Sequence, residues 1–425
     1  MIAPADLLVV HAAELATLAT GSVPRRGTAL ADPGIVADGA VAASGGRITA
    51  VGPTEAVLRS VSRTPATTTV DASGRLVTPG LVDPHTHLVF AGHRAHEFTM
   101  RLHGAGYAEI LAAGGGILNT VRATRAAAEA DLVAMGRERL DRMLAHGTTT
   151  VEAKSGYGLS VEDELKILRA TSRLGASHAV GIVPTFLGAH AVPPERKADP
   201  DAYVRDICEV MLPAVVREGL AEFCDVFCER GAFSIEQSRR ILSEAGRLGL
   251  RLKIHADQLS ASGGARLAVE LGALSADHLE HTPSDDLAAM AERGVTAGLL
   301  PGATFFLLHQ KYADARAMVE VGVPVALATD FNPGSSPTLS MQMAIALGCI
   351  GMRLTPAEAL SAATINAAHA VGRAADTGSL APGKRADLVM WGISSVAELP
   401  MHFGTNMADT VIKDGRVVIG GGRTT

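Results

Sequence analysis

The sequence predicts an α/β fold, a (β/α)8 TIM barrel joined to a small β-sandwich domain that is built from both chain termini. In the middle of the chain, eight short apolar runs alternate with longer stretches rich in Ala, Leu, Glu and Arg, as in a repeated strand–helix unit. Each terminus has only a few β-like runs, too few to bury a core alone. We therefore predict a barrel over residues 78–378, with residues 1–77 and 379–425 combining into the second domain.

Each predicted strand is a short apolar run with polar residues at or near its carboxyl end. The runs cover residues 76–90, 148–157, 178–190, 223–229, 251–257, 274–280, 295–301 and 324–332. Catalytic groups of (β/α)8 barrels lie at those strand ends, so the polar residues obey the rule for this fold. An open doubly wound sheet is the alternative, but no glycine-rich phosphate loop follows the first run. The intervening stretches, such as 161–175, space Leu and Ile for one buried helix face.

Both termini show hairpin patterns. Ser44-Gly45-Gly46 separates two strand-like runs, and its glycines allow the positive φ angles of a tight turn. Asp414-Gly415 is a strong turn signal between two runs near the other end. Residues 7–70 carry no cluster of catalytic residue types, so we expect the chemistry to lie in the barrel.

The amino-acid composition disfavours several classes of function. The 425 residues carry a formal net charge of −6, have no Lys/Arg run and are only 4% aromatic, which disfavours nucleic-acid and membrane surfaces. The first 18 residues lack the basic segment of a signal peptide. Four cysteines are too few for a disulfide scaffold, so we expect a cytoplasmic protein with reduced thiols. Cys224 and Cys228 are expected in or beside a buried strand.

The run at 76–90 carries the strongest chemical signal. His85 and His87 are two residues apart and project from the same face of a strand, with Asp83 below them. Imidazoles placed in this way can bind one metal ion. Two hydrogen-bonded histidines at a strand end are the alternative interpretation of this pair alone.

Three further candidates come from distant runs. His255 lies near the end of the fifth run and Asp330 near the end of the eighth, which neighbours the first in a closed barrel. His278, near the end of the sixth run, places another titratable group nearby. A catalytic zinc or iron site needs three or four protein ligands and an open position for water. The candidate ligands that meet this need are His85, His87, His255 and Asp330.

Six segments distributed over nearly the whole chain resemble the imidazolonepropionase family of the amidohydrolase superfamily. They read PGLVDPHTHLVFAG, EAKSGYG, GAHAVPPE, KIHAD, SADHLE and ATDFNPGSSP. The first marks only the superfamily, whereas KSGYG, GAHAVPPE and DFNPGSSP are particular to imidazolonepropionases. The resemblance implies a homodimeric hydrolase that opens the ring of 4-imidazolone-5-propanoate with water to give N-formimidoyl-L-glutamate, the third step of histidine degradation.

The resemblance also implies the site residues. One Zn²⁺ or iron ion per subunit would be bound by His85, His87, His255 and Asp330. Residues 228–230, at the end of the fourth run, include no lysine that could be carboxylated to bridge a second metal, which favours one ion. Substrate contacts would come from Arg94, Tyr157, His190, Asn332, Gly334 and Ser335.

General chemistry is compatible with several of these roles. Arg94 offers a planar fork suited to the propanoate carboxylate, although a solvated surface arginine is the plainer interpretation. Tyr157 follows Ser155-Gly156, so a loop can present its hydroxyl or simply pack its ring. The turn at 332–335 has backbone groups and a hydroxyl that can hold a small polar ring, or it only connects a strand to a helix.

The expected reaction assigns proton transfer to Asp330 or His278, and stabilisation of the carbonyl oxygen to the metal and His278. Several family members have Glu three residues after the fifth-strand histidine, where this chain has Gln258. An amide cannot transfer protons as a carboxylate does, so we expect Gln258 to position substrate or water.

Two other functions fit part of the pattern. A deaminase of a purine, pyrimidine or related heterocycle would use the same ligands, but it would release ammonia and leave the ring closed. A non-catalytic barrel that serves in binding or assembly is the second alternative. Such a protein would be expected to lose ligands, whereas this chain keeps all of them.

Overall fold

The computed structural model describes residues 3–19, 23–105, 109 and 113–420. It contains a parallel sheet and a second sheet that is built from both ends of the chain. The parallel sheet has eight strands in chain order, labelled β1 to β8. They are β1 (Leu81–Asp83), β2 (Thr148–Lys154), β3 (Gly181–Ala189), β4 (Phe223–Cys228), β5 (Arg251–Ala256), β6 (Ser275–His278), β7 (Thr296–Leu299) and β8 (Val325–Leu327). Each predicted run contains one strand of this sheet, so the predicted barrel is confirmed.

The barrel closes through residues that follow β1 and β8. Thr86 and Phe331 form a parallel bridge, and the backbone N–H of His87 donates to the Phe331 carbonyl at 2.8 Å. The N–H and hydroxyl of Thr329 both donate to the Asp83 carboxylate, at 3.1 and 2.5 Å. Closure therefore brings the ends of two sequence-distant strands to one place, as the sequence predicts.

Helices surround the barrel and begin where local sequence favours them. Val161–Ser177 is capped by the side chain of Ser160, and Ile235–Arg247 begins with a capping box of Ser234 and Gln237. The other α-helices described after β1 are Ala95–Leu102, Ile117–Ala126, Glu129–Ala145, Pro200–Asp206, Leu212–Arg217, Gly264–Leu271, Ser284–Arg293, Pro301–Phe306, Ala315–Val321, Met341–Met352, Pro356–Ala362 and Ile365–Ala370. A π-helical turn, Ile207–Met211, separates Pro200–Asp206 from Leu212–Arg217.

Apolar side chains fill the end of the barrel near the amino ends of its strands. The helix Ile365–Ala370 packs there against residues from four strands. The cluster comprises Val82, Val183, Phe223, Ala326, Ala367, Ala368, Ala370 and Val371. Because this end is apolar, polar chemistry is confined to the opposite end, where the carboxyl ends of the strands lie.

The second sheet joins both termini and confirms the predicted composite β-domain. Its strands are Leu7–Ala16, Ile35–Ser44, Arg47–Pro53, Thr68–Asp71, Leu76–Pro79, Leu388–Trp391, Ala408–Lys413 and Arg416–Ile419. Leu76–Pro79 pairs antiparallel with Leu388–Trp391 and so links the two ends of the chain. This strand spans the proposed domain boundary at residues 77 and 78, which stays a prediction. A short helix, Thr54–Ser60, and a two-stranded sheet, Ala3–Pro4 with Val61–Ser62, complete the region.

Both predicted hairpin turns form, each with two consecutive residues at positive φ. Gly45 and Gly46 have φ angles of 57° and 79°, and Asp414 and Gly415 have 48° and 73°. Cys224 and Cys228 are free thiols buried in β4, as predicted. None of the helices in the described ranges combines the length and apolar character needed to cross a bilayer.

Candidate active site

The two histidines of the first predicted strand lie just beyond its end. The strand β1 ends at Asp83, and the chain continues with Thr86 held from both sides. The Thr86 hydroxyl donates to the carbonyl of Glu152, and the N–H of Lys154 donates to the Thr86 carbonyl at 2.9 Å. Because Thr86 is anchored in this way, the residues on either side of it, His85 and His87, are fixed with respect to the barrel.

The predicted ligands converge at this point. One ligand atom each from His85, His87 and His255 lies within 4.8 Å of the others, and the same holds for His85, His278 and Asp330. Asp330 Oδ1 lies 3.5 Å from His85 Nε2 and 3.6 Å from His87 Nε2. All five residues are buried, at 3% exposure or less. The arrangement therefore brings four imidazoles and a carboxylate together in two groups that share His85.

The donor atoms fit a metal ion. The Nε2 atoms of His85 and His255 and the Nδ1 atoms of His87 and His255 are inaccessible to solvent and form no hydrogen bond among the described residues, although buried polar atoms normally form one. Burial lowers the pKa of both imidazoles, which favours the neutral form that binds metals. For Asp330, burial acts to raise the pKa, but the neighbouring imidazoles of His87, His278 and His255 outweigh it and lower it. Nitrogen donors with one carboxylate oxygen suit zinc or iron.

Behind these ligands lies a group of buried charged residues that sequence analysis did not assign. Asp277 Oδ2 lies 2.7 Å from His85 Nδ1, and Asp225 Oδ2 lies 3.0 Å from His255 Nδ1. Lys154 pairs with Asp225 at 2.7 Å, and the negative charges around it outweigh burial and raise its pKa. Charged residues within otherwise apolar strands were the one signal in the sequence that could have pointed to this group.

A cavity of about 620 Å³ opens above the His/Asp cluster, at the carboxyl ends of the strands. Its wall contains every predicted substrate residue, Arg94, Tyr157, His190, Asn332, Gly334 and Ser335, together with Gln258 and His278. Sequence analysis did not single out several further lining residues, among them Glu97, Arg101, Phe227, Arg230 and His309. The predicted residues therefore line one cavity, and the unpredicted residues form further parts of its wall.

Arg94 is held by a buried acid. Its Nε donates to Glu97 Oε2 at 2.9 Å, and Glu97 Oε1 accepts the N–H of Gly116 at 2.9 Å. The Arg94 side chain is only 15% exposed, and its terminal nitrogens lie against the Cα of Gly334, where a Cβ would collide with them. The guanidinium is therefore positioned in the cavity wall and is not a freely solvated surface group.

His190 and Tyr157 form an aromatic wall beside His87. The rings of His87 and His190 stack at 4.9 Å with an interplanar angle of 15°. His190 Nδ1 lies 3.0 Å from the Gly156 carbonyl, which can only accept, so Nδ1 carries the proton and Nε2 has a free lone pair. Burial lowers the pKa of His190 and raises that of Tyr157. The wall thus offers a neutral nitrogen acceptor and a protonated phenol.

Hydrogen bonds from the Asn332 side chain fix the shape of the turn after β8. The Asn332 side-chain amide donates to the Asp330 carbonyl and to Ser335 Oγ, both at 2.7 Å. Its oxygen accepts the N–H groups of Gly334 and Ser335, both at 2.8 Å. These four hydrogen bonds use both donors and both lone pairs of the Asn332 amide. Asn332 therefore shapes the turn, while Gly334 and Ser335 face the cavity.

His278 and Asp330 sit in strained backbone at strand ends. Their φ angles are 81° and 53°, in the left-handed region that non-glycine residues seldom occupy. Such strain is typical of functional sites. Burial acts to lower the pKa of His278, but the Glu280 carboxylate, 3.9 Å from Nδ1, and the charges of Asp330 and Asp277 outweigh it and raise it. His278 therefore faces the cavity beside carboxylates that favour its protonated form.

A barrel with imidazole and carboxylate ligands under one cavity at its strand ends has the arrangement of a metal-dependent hydrolase. A model of the amidohydrolase family matches residues 76–418. Imidazolonepropionase of Geobacillus kaustophilus is 54% identical over 419 residues, covering 98% of this chain and 99% of the relative. That of Symbiobacterium thermophilum is 53% identical over 421 residues, covering 99% of both. The chain therefore belongs to the imidazolonepropionases within the amidohydrolase family.

Solved structures agree on the fold. An adenosine deaminase from Xanthomonas campestris with bound zinc superimposes with a TM-score of 0.71 at 21% identity, covering 100% of this chain and 95% of that one. An atrazine chlorohydrolase from Arthrobacter aurescens complexed with zinc gives 0.70 at 18% identity, covering 99% and 96%. At such identities the likeness shows the fold alone.

Proposed function

We propose that this chain hydrolyses 4-imidazolone-5-propanoate to N-formimidoyl-L-glutamate, the third step of histidine degradation. The observation that carries the proposal is the single cavity, with the His/Asp cluster at its floor and the expected substrate residues along its wall. The names of the full-length relatives support it. A substrate with a polar ring, a carbonyl and a carboxylate matches what these side chains can bind.

One Zn²⁺ or iron ion would be held by His85, His87, His255 and Asp330. When bound, it supplies Lewis-acid chemistry that makes a water molecule nucleophilic near neutral pH. A single ion is favoured because the remaining group of ligand type among the described residues, which adds Glu152 and Asp277 to His85, is already neutralised. The ammonium groups of Lys154 and Lys253 lie 3.0 and 2.9 Å from Glu152.

Asp330 and His278 handle the protons. Asp330 has a lowered pKa and is ionised, so it accepts a proton from the attacking water. The water attacks the ring carbonyl carbon, the bond from that carbon to the ring nitrogen breaks, and the nitrogen takes up the proton. His278, with a raised pKa, donates to the carbonyl oxygen as negative charge develops there.

Side chains in the cavity wall bind the substrate. Arg94 binds the propanoate through its terminal nitrogens, since its Nε is occupied by Glu97. His190 Nε2 accepts a ring N–H, and the Tyr157 hydroxyl donates to a polar atom of the substrate. The Ser335 hydroxyl accepts from Asn332 and donates to Asp330 Oδ2 at 3.3 Å, so it offers the substrate its remaining lone pair. Gln258 positions substrate or water without taking part in proton transfer.

We also propose that the protein is cytoplasmic and, as the family resemblance implies, a homodimer. Free thiols at all four cysteines, three of them buried, suit a reducing compartment. Analytical ultracentrifugation of the purified protein at micromolar concentration tests the assembly, and a monomer there would contradict it.

The decisive assay follows the ultraviolet absorbance of the imidazolone with purified protein and verified metal content. Loss of the band, with N-formimidoyl-L-glutamate identified by mass spectrometry and no ammonia released, is the expected result. Asp330→Ala serves as the matched inactive control for spontaneous decay of the substrate. Ammonia release from a ring that stays closed would instead identify a deaminase.

A further inference from the structure

The buried charges behind the proposed metal ligands come from four strands. Glu152 and Lys154 lie on β2, Asp225 on β4, Lys253 on β5 and Asp277 on β6, with side chains at most 2% exposed. Three buried carboxylates repel one another unless cations lie between them. The two ammonium groups supply that charge: both contact Glu152 and lie near Asp277, and Lys154 also contacts Asp225.

Lys154 contacts the carboxylate oxygens that face two of the proposed ligands. Its Nζ lies 2.7 Å from Asp225 Oδ2, the atom that is 3.0 Å from His255 Nδ1. It also lies 3.7 Å from Asp277 Oδ2, the atom that is 2.7 Å from His85 Nδ1. One ammonium group therefore stands behind two imidazoles that reach the site from different strands.

Lys253 shares Glu152 and Asp277 with Lys154. Its Nζ donates to Glu152 and to the Pro84 carbonyl, both at 2.9 Å, and lies 3.8 Å from the same Asp277 oxygen. No ion pair joins it to Asp225 among the described residues. Lys154 is therefore the cation that links the two carboxylates.

We propose that Lys154 is a positioning residue for the metal site. Through Asp225 and Asp277 it fixes the Nδ1 sides of His255 and His85, so that both Nε2 atoms face the cation. A carboxylate on Nδ1 sets the tautomer and ring orientation of a ligating histidine, and its loss typically costs about 10–100-fold in metal affinity. This role rests on the proposed metal ligands and adds to them the residues that contact their Nδ1 atoms, Asp225 and Asp277, and the lysine between those carboxylates.

The test measures zinc affinity directly, by chelator competition on the apoprotein at a temperature below unfolding. Lys154→Met removes the charge while keeping much of the volume, and we expect zinc to bind about 10–100-fold more weakly. Lys413→Met is the matched control, because Lys413 is a buried lysine that lies 2.7 Å from Asp387 in the terminal sheet. It should keep wild-type zinc affinity even where Tm falls.

A double-mutant cycle separates positioning from general destabilisation. Asp225→Asn is measured alone and together with Lys154→Met, and the combined loss of zinc affinity should be smaller than the sum of the single losses, because both act on His255. Wild-type affinity in Lys154→Met, additive losses, or an equal loss in Lys413→Met would each overturn the proposal.

Two further results are also decisive. Lys154→Gln, whose amide can still donate to Asp225, is prepared beside Lys154→Met. If neither variant folds while Lys413→Met does, Lys154 serves the stability of the barrel and the proposal fails. A wild-type protein that binds no zinc refutes the ligand assignment itself, which distinguishes that failure from a failure of Lys154.

Discussion

At the scale of single residues, the partner already bound to a side chain decides what the side chain can offer a ligand. His190 gives its Nδ1 proton to the Gly156 carbonyl and keeps Nε2 as an acceptor. Arg94 commits Nε to Glu97 and keeps its terminal nitrogens. Asn332, by contrast, has no amide position left for a ligand, because the turn uses all four. From residue type alone, all three side chains would have been expected to contact the substrate equally.

The role of Arg94 leads to a first prediction. Arg94→Ala should raise KM by roughly 10- to 100-fold with a smaller effect on kcat, since it removes a charge-assisted contact worth about 1.5–3 kcal/mol. The measurement is steady-state kinetics on the substrate and on an analogue that lacks the propanoate. If wild type and variant differ as much on the analogue, Arg94 does not bind the carboxylate.

A second prediction concerns Gln258 and His278. Gln258→Glu should remain active and add an acid-side limb to the pH profile, because a new titratable carboxylate enters the cavity. His278→Ala should lose about 10²–10³ in kcat, the typical cost of one donor to a developing oxyanion. The profile of kcat against pH is recorded for both variants with metal content verified.

Gln258→Ala is the comparison that distinguishes the two roles. It should be milder than His278→Ala, because an orienting amide acts less directly on the reacting atoms than a proton donor. Near-normal kcat in His278→Ala together with an inactive Gln258→Ala would reverse the assignments.

At the scale of elements, the turn after β8 connects the metal site to the substrate wall. Asp330 begins the turn as a proposed ligand, Asn332 holds its shape, and Gly334 lies under the Arg94 guanidinium. Only a residue without a Cβ leaves room for the guanidinium there. The short element therefore sets the distance between the reacting centre and the carboxylate-binding group.

The third prediction follows from this contact. Gly334→Ala should raise KM while leaving Tm nearly unchanged, because the new methyl displaces the flexible end of Arg94 and not the backbone. Gly175→Ala is the matched control: it lies in the helix Val161–Ser177, where the nearest atom to a new Cβ, from Ile182, is 3.9 Å away. It should keep wild-type KM and stabilise the helix slightly. Unchanged KM in Gly334→Ala would contradict the packing argument.

At the scale of the whole molecule, the proposed metal site joins strands that are far apart in the chain. His85 and His87 follow β1, His255 lies on β5, and Asp330 follows β8 beside the point of barrel closure. A ligand that binds only the folded state stabilises it by mass action, by about 4 kcal/mol at a thousand times its Kd. Metal binding is therefore expected to stabilise the closed barrel.

The fourth prediction is that metal removal lowers both activity and Tm. Dialysis against a chelator should abolish turnover and lower Tm, and added zinc or iron should restore both. Differential scanning calorimetry with and without metal gives the shift. In His255→Ala, zinc should raise Tm much less than in wild type. An equal shift in that variant would place the stabilising metal elsewhere.

Much of this protein is determined by local sequence. The apolar runs and the helical stretches predicted the eight barrel strands and their intervening helices, because the side-chain periods of strands and helices are local properties. The turn residues Gly45-Gly46 and Asp414-Gly415 predicted the hairpins for the same reason. The proposed ligands could be named from their positions at strand ends, since a barrel brings all those ends together. The substrate residues were named from the family resemblance.

Only the tertiary structure decided which groups support those residues. Asp277 reaches His85 across 192 positions of sequence, and Lys154 reaches Asp225 across 71. No periodicity encodes such pairs, because they form only when the strands of a closed barrel turn their side chains into a common interior. The contacts of Arg94 with Glu97 and with Gly334 were also decided only by the tertiary structure. Several elements together set the space and the charge around that guanidinium.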